Sequence, residues 1–398
     1  MDNGKIYLFN PDHDLALANG NENFEAPNSA RVFRANLNCL PIWYAEKNSI
    51  IMADFIEKEW FKQMQILFPQ LSDISIESQP NSSTLKSVCP WGWDPAIRKF
   101  LINKGINNEL LPNAKELTEI RRLSHRKTAI EAMNFLRNAI DSPELLPEPA
   151  KQLAANDAES YAAQFQHTVF KAPWSSSGKG LCWVTDSFPQ RALSWCQNVE
   201  SKQGSIIGEQ AFDNVQDFAM EFRCSNGKAS FEGYSLFRTH NHGKYKGNTL
   251  ASDKAIFQAI TKFISEEFLL KIQNQLLLFV EKEIAPYYSG YLGIDMLVYN
   301  KNGAYFIHPC VEINLRMTMG LVARLFYDKF VDPRCSGHFY TDYFPSSKEL
   351  ESDHTQRSLS MPLKTTNNLI TSGYLTLSPI TSNSHYRIRI EIDPPLSH

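Results

Sequence analysis

Residues 290–320 constrain this chain more than any other stretch. They read as two strands joined by a tight turn. Residues 291–299 are mostly apolar or aromatic around one carboxylate, Asp295. Asn300, Lys301, Asn302 and Gly303 form the turn, because Asn and Gly tolerate positive φ. The return strand, residues 304–314, carries Glu312 and Asn314. Spaced i, i+2, those two share one face of a sheet, and pairing back across the turn brings them towards Asp295. Carboxylates set among apolar residues repel one another and resist desolvation. The pattern predicts a hard divalent cation such as Mg2+, which takes oxygen ligands and commonly uses one or two carboxylates. The plainer alternative is an amphipathic hairpin with a solvated polar face. Arg316, two residues further on, carries a planar fork suited to the same anion that the cation would accompany.

Upstream, short apolar runs alternate with helical spacing over roughly the first hundred residues, which predicts an open α/β domain. Residues 5–10 form its first strand. Asp12, His13 and Asp14 follow it, where substrate contacts or a helix-capping turn are both expected. Residues 40–44 and 49–52 suit further strands, and Asp94 caps a helix with Pro95 in its first turn. Ser124 suits an N-cap for a helix through Arg137. Residues 168–172 and 181–184 form a second hairpin around a Ser/Gly loop, residues 175–180. Small residues let backbone N–H groups approach phosphate oxygens, so Ser177, Gly178, Lys179 and Gly180 are candidates to cradle phosphate. This is not a Walker A loop, since Gly180 follows Lys179 where Ser or Thr is needed. Arg238, ending a later strand, is a candidate contact for substrate or phosphate, beside His240 and His242. Residues 255–285 are amphipathic helix. Residues 346–366 read as a polar surface loop, and a terminal hairpin is expected from residues 373–377 and 386–392.

The formal net charge is −3, which leaves no basic footprint for nucleic acid. No uncharged apolar run is long enough to span a bilayer. The first residues lead into a strand, not an apolar helix, so no signal peptide is expected. Seven cysteines, odd in number and without a C-x-x-C, suggest neither a disulfide frame nor zinc and point to a reducing cytoplasm.

Gly293-Ile294-Asp295 followed by Glu312-x-Asn314-x-Arg316 resembles the ATP-grasp superfamily. The resemblance covers about residues 120–330. It implies an α/β architecture: an N-terminal open, Rossmann-like pre-ATP-grasp domain (1–118), then a two-subdomain ATP-grasp fold (119–335, with a lid at about 150–208). A C-terminal extension with a β-hairpin (336–398) would follow. By that resemblance Asp295, Glu312 and Asn314 hold the Mg2+ of ATP. A basic residue at a helix start, Lys127 or the competing Arg126, reaches the phosphates, and so does the lid strand's Lys171. Glu209, Gln210, Ala211 and Phe212 form the adenine hinge, and Asp217 takes the ribose hydroxyls, although its spacing from the hinge is slightly long. The implied chemistry is ADP-forming ligation: a carboxylate attacks the γ-phosphate, and an amine then displaces phosphate from the acyl phosphate. Arg316 would steady the transferring group. Small-molecule carboxylate and amine partners are implied, and a homodimer is compatible with them. A small-molecule kinase on the same fold, or a nucleotide-binding module without turnover, are the competing readings.

Overall fold

The computed structural model describes residues 4–54, 57–81, 85–141, 146–175, 180–239 and 245–394. Ser177, Gly178, Lys179, His240 and His242 lie outside them. The chain opens with a parallel sheet of β1 (Lys5–Leu8), β2 (Ile50–Met52), β3 (Ser75–Glu77) and β4 (Ser87–Pro90), in the order β3-β2-β1-β4. Its inner strand β1 is buried on both faces, as crossover helices require. Ile6 and Leu8 face one apolar core, while Tyr7 and Phe9 face another. Helices α1 (His13–Asn19), α2 (Asn28–Leu37), α3 (Lys58–Leu67) and α4 (Pro95–Asn103) make the connections. Asp94 caps α4, its Oδ1 accepting from Ile97 N–H at 2.8 Å. Residues 40–44 depart from the expected strand. Pro41 opens a single tight helical turn, Leu40–Trp43, which drives Trp43 into the core.

Next come α5 (Ala114–Leu123) and α6 (Lys127–Ala139). A capping box of Asn113 and Glu116 starts α5. Ser124 does not cap α6. It closes α5, its hydroxyl donating to Ile120 O at 2.7 Å. The first turn of α6 instead uses the ring of His125, whose Nδ1 accepts from Lys127 N–H at 2.9 Å.

A second, antiparallel sheet follows, of β5 (Lys151–Leu153), β6 (His167–Lys171), β7 (Leu181–Thr185) and β8 (Ile206–Gln210), ordered β5-β8-β6-β7. Helices α7 (Ala158–Ala162) and α8 (Gln190–Gln203) cover one of its faces. Tyr161, Phe170, Cys196 and Ile206 make a small core of its own.

The rest of the chain builds a nine-stranded sheet ordered β13-β12-β9-β10-β11-β14-β17-β16-β15. Its strands are β9 (Asp213–Ser225), β10 (Lys228–Thr239), β11 (Tyr245–Leu250), β12 (Gly290–Lys301), β13 (Ala304–Asn314), β14 (Ser336–Tyr343), β15 (Lys364–Thr366), β16 (Leu369–Thr376) and β17 (Tyr386–Asp393). Asn302 and Gly303, at φ 57° and 84°, make the β12–β13 turn. Phe218, Met220, Leu292 and Ile294 pack from one face of this sheet on α9 (Asp253–Ile260) and α10 (Glu266–Phe279). Helix α11 (Met319–Phe330) lies near the other end and shares a core with Trp43, Phe339 and Ile390.

Residues 346–366 are not a surface loop. Ser347–Ser360 form α12, anchored by buried Leu350 and by Arg357, which pairs with Asp353 at 2.8 Å and Glu391 at 2.5 Å. The terminal hairpin forms as β16 and β17, and β17 also pairs with β14, so the tail extends the central sheet. Among the described residues no helix is long and apolar enough to cross a membrane.

Candidate active site

The register of β12 on β13 sets Asp295 directly opposite Glu312, and Gly293 opposite Asn314. Residues opposite one another in a sheet point to the same side. On that side Asn314 Nδ2 donates to Asp295 Oδ2 at 3.0 Å. Burial pushes Asp295 up to about 8, helped by the negative charges of Glu312 and Glu221. Beyond this row the register slips, so residues 309–311 stand opposite Met296 alone, and Leu297 meets His308. This bulge keeps His308 on the same face as Glu312.

Two arginines close the row from opposite sides. Arg126, buried at the start of α6, pairs with Glu312 at 2.9 Å. Its other donors reach the second sheet: Nε to Ala172 O at 2.9 Å and Nη2 to Ser175 Oγ at 3.0 Å. Lys127 is half-buried one residue later. Arg316 donates from Nη2 to Asn314 Oδ1 at 2.9 Å. Its Nε donates to both carboxylate oxygens of Asp14 at 3.0 Å. Asp14 comes from α1, so the first sheet's opening loop touches the centre of the site. Its neighbour His13 is buried against Asp94, 3.2 Å away, which pins that loop.

On the second sheet, Lys171 (β6) and Glu209 (β8) form a buried ion pair, and Glu209 Oε1 lies 2.9 Å from His308 Nε2. Burial alone would raise Glu209, but Lys171 and His308 together outweigh it and hold the carboxyl at about 2. Lys171 and Glu209 edge a narrow cavity between α6, β8 and β13, lined by Ala129, Ile130, Met133, Ile207 and Val311. Gln210, at the end of β8, is exposed, and the Ala211 N–H donates to His167 O at 3.0 Å. Phe212 packs on Tyr299, ring centres 4.3 Å apart. Asp217 accepts from Asn214 Nδ2 at 2.8 Å and Thr239 Oγ1 at 2.7 Å, and burial raises its pKa.

The geometry thus brings together Asp295, Glu312, Asn314 and Arg316, with Lys171 and Glu209 on the facing sheet. Arg238 is not among them. Ser235 and Thr239 of β10 bond Glu221 and Asp217 on the site face. Strand alternation therefore turns Arg238 to the opposite face, where it is exposed beside His338.

Glu221, His308 and Leu297 belong to the site face without having been singled out by pattern. Glu221 is fully buried and accepts from Ser235 Oγ at 2.8 Å and Thr318 Oγ1 at 3.1 Å. Burial pushes it up to about 7. The nearby glycines were the available signal: a Cβ at Gly293 or Gly320 would come within 2.7 or 2.6 Å of its carboxylate.

The donor set fits a hard cation. Asp295 is a carboxyl whose neighbours disfavour its charge, and a divalent ion removes that conflict. Among the described residues no three His, Cys, Asp or Glu side chains converge, so the set is two carboxylates and an amide. Asn314 presents nitrogen to Asp295, and a half-turn of the amide would present oxygen instead.

No protein-family model matches the sequence, and no curated protein matches it. Solved structures do match. The ADP complex of an N5-carboxyaminoimidazole ribonucleotide synthetase aligns with a TM-score of 0.50 at 11% identity, over 98% of this chain and 92% of that one. The biotin carboxylase domain of a 2-oxoglutarate carboxylase from Hydrogenobacter thermophilus, solved with MgADP, ADP and bicarbonate, aligns with a TM-score of 0.50 at 9% identity, over 98% and 86%. Pyruvate carboxylase from Rhizobium etli aligns at 0.50 and 12% identity, over 98% of this chain and 36% of that one. At such identities the likeness is one of fold.

Proposed function

We propose that this chain, which has the ATP-grasp fold of those synthetases and carboxylases, is an ATP-dependent, ADP-forming ligase that joins a carboxylate to an amine. One observation carries the reading. Asp295, Glu312 and Asn314 share one sheet face with Arg316, across from a cavity edged by Lys171 and Glu209. ADP is bound in two of these neighbours, and magnesium accompanies it in one, which supports ATP and Mg2+ as cofactors here.

Bound Mg2+-ATP would supply the phosphoryl group and the cation that balances its charge. Asp295 and Glu312 would hold that cation, joined by Asn314 with its amide turned. Lys171, with Arg126 or Lys127 at the start of α6, would meet phosphate oxygens. Glu209 and residues 210–212 would border the base, and Asp217 the ribose.

Arg316 would hold the reacting anion, exchanging Asp14 for it. Fixed cationic donors of this kind stabilise charge as it shifts during phosphoryl transfer. The substrates would be small molecules entering beside Asp14 and the loop of the first sheet, as open α/β sheets bind ligands beyond their strand ends. The seven thiols, all unpaired, fit a reducing compartment such as the cytoplasm.

The test is phosphate release from ATP with Mg2+ and pooled carboxylates and amines. Ligation requires release that depends on both pools, with ADP formed in step. A stable phosphoester formed without an amine would replace this reading with a kinase.

A further inference from the structure

Among the described residues His308 is the imidazole that bonds Glu209, and its two contacts indicate which nitrogen carries the proton. The β13 bulge swings the Cys310 N–H away from β12 and towards His308 Nδ1, 3.4 Å away. Pro309, inside the bulge, has no N–H to pair, which the edge position of β13 tolerates. An N–H can donate to Nδ1 only if that nitrogen is bare. The ring's proton is then on Nε2, and it donates to Glu209 Oε1 at 2.9 Å. The other oxygen of Glu209 takes Lys171. Both oxygens are thus fixed, each with acceptor capacity left for one further donor.

We infer that His308 is a positioning residue for nucleobase recognition: from the central sheet it locks the Glu209 carboxylate on the second sheet, so that Glu209 accepts an exocyclic amino group and repels a carbonyl. The inference rests on the ATP reading above. The cavity supplies the geometry, since Glu209 edges it while Ile130, Met133, Ile207 and Val311 line its apolar walls. The cavity is narrow, about 10 Å³, so a flat heterocycle would have to part these apolar walls to enter, with the carboxylate as the acceptor beside them. Adenine offers a donor at its amino group, whereas guanine offers a carbonyl oxygen at the same ring position. A carboxylate tethered at only one oxygen would swing towards Lys171 and lose this discrimination. His308 touches no reacting atom, so its effect passes through Glu209 alone.

Two conservative substitutions separate positioning from packing. His308→Gln carries an amide that reaches the Nε2 position and keeps the bond to Glu209. His308→Asn is too short for Glu209 but keeps an acceptor for Cys310 N–H, and so preserves the bulge. Binding of Mg2+-ATP and Mg2+-GTP to the full chain is measured by calorimetric titration. His308→Asn is expected to bind ATP roughly tenfold more weakly and to lose most of its preference over GTP, as loss of a charge-assisted bond implies. His308→Gln is expected to stay within about threefold of the parent on both counts. If His308→Asn matches or exceeds His308→Gln in ATP affinity and preference, His308 serves only the bulge and the inference is overturned. A parent chain that binds neither nucleotide would overturn the ATP reading instead, and the two failures are distinguishable.

Discussion

Asp295 stands against Glu312 and near Glu221, with the guanidinium of Arg316 as its cationic neighbour. Its pKa makes the fold sensitive to pH in a stated direction. An unfolded Asp releases its proton near the ordinary value of 3.8, while the folded one holds it to about 8. Between those limits the native state binds more protons, so stability falls as pH rises. Glu221, raised to about 7, has the same sign. His125, His338 and His354, all lowered by burial, oppose it at lower pH, so the clean window is about pH 6.5–8. Glu209, held at about 2, adds no slope there. The melting midpoint of the metal-free chain is expected to drop across that window, and Asp295→Asn is expected to flatten the drop. A wild-type midpoint that climbs would contradict the assigned burial of charge. The proposed cation site is tested at the same side chain: Asp295→Asn and Glu312→Gln are each expected to weaken Mg2+-dependent ATP binding by roughly tenfold or more, as loss of a charged ligand implies. Undiminished binding in both would remove the metal assignment. These residues were legible because i, i+2 spacing and a strong turn specify a shared face. Arg238 was not, since its face depends on which side of β10 meets Glu221 and Asp217, a fact of sheet packing that local pattern does not carry.

At the level of elements, the glycines around Glu221 hold the spacing between the central sheet and the start of α11. A Cβ at Gly320 would meet Ser235 Oγ at 2.4 Å and the Glu221 carboxylate at 2.6 Å. Gly320→Ala is expected to cost about 1–3 kcal/mol through overpacking, seen as a lower urea midpoint with unchanged slope. A midpoint within error of wild type would mean that Glu221 is free to move. Hairpins and a capped helix were readable from sequence, as for the β12–β13 turn and for Asp94 before α4, whose Oδ1 accepts from Ile97 N–H at 2.8 Å. Elements held by distant partners were not. Helix α12 presents almost no apolar stripe, and its hold comes from Arg357 reaching Glu391 on β17. The β13 bulge was equally hidden, because a slip in register shows only once β12 lies beside it. Hence His308 could not be distinguished from any other strand histidine.

Across the whole molecule, the first sheet and the C-terminal strands share one core. Trp43 packs edge-on against Phe68, Phe326 and Phe330, with centroids 5.8, 5.4 and 5.2 Å away, and donates to Leu377 O at 2.7 Å. Removing residues 336–398 would strip Phe339, Ile388 and Ile390 from that core. The truncated chain is expected to lose cooperative unfolding and near-ultraviolet circular dichroism. Retention of both would show that the tail is an appendage. Trp43→Ala is expected to destabilise the intact chain by about 3–5 kcal/mol, measured by urea titration. A last consequence belongs to Arg126, whose single guanidinium grips backbone and hydroxyl on the second sheet and a carboxylate on the third. It cannot follow the smaller sheet outward and stay with Glu312. If a cation took Glu312 as proposed, Arg126 would lose that partner and keep only its bonds to Ala172 and Ser175. The charge on Glu312 and the join between the two sheets are therefore linked through one side chain.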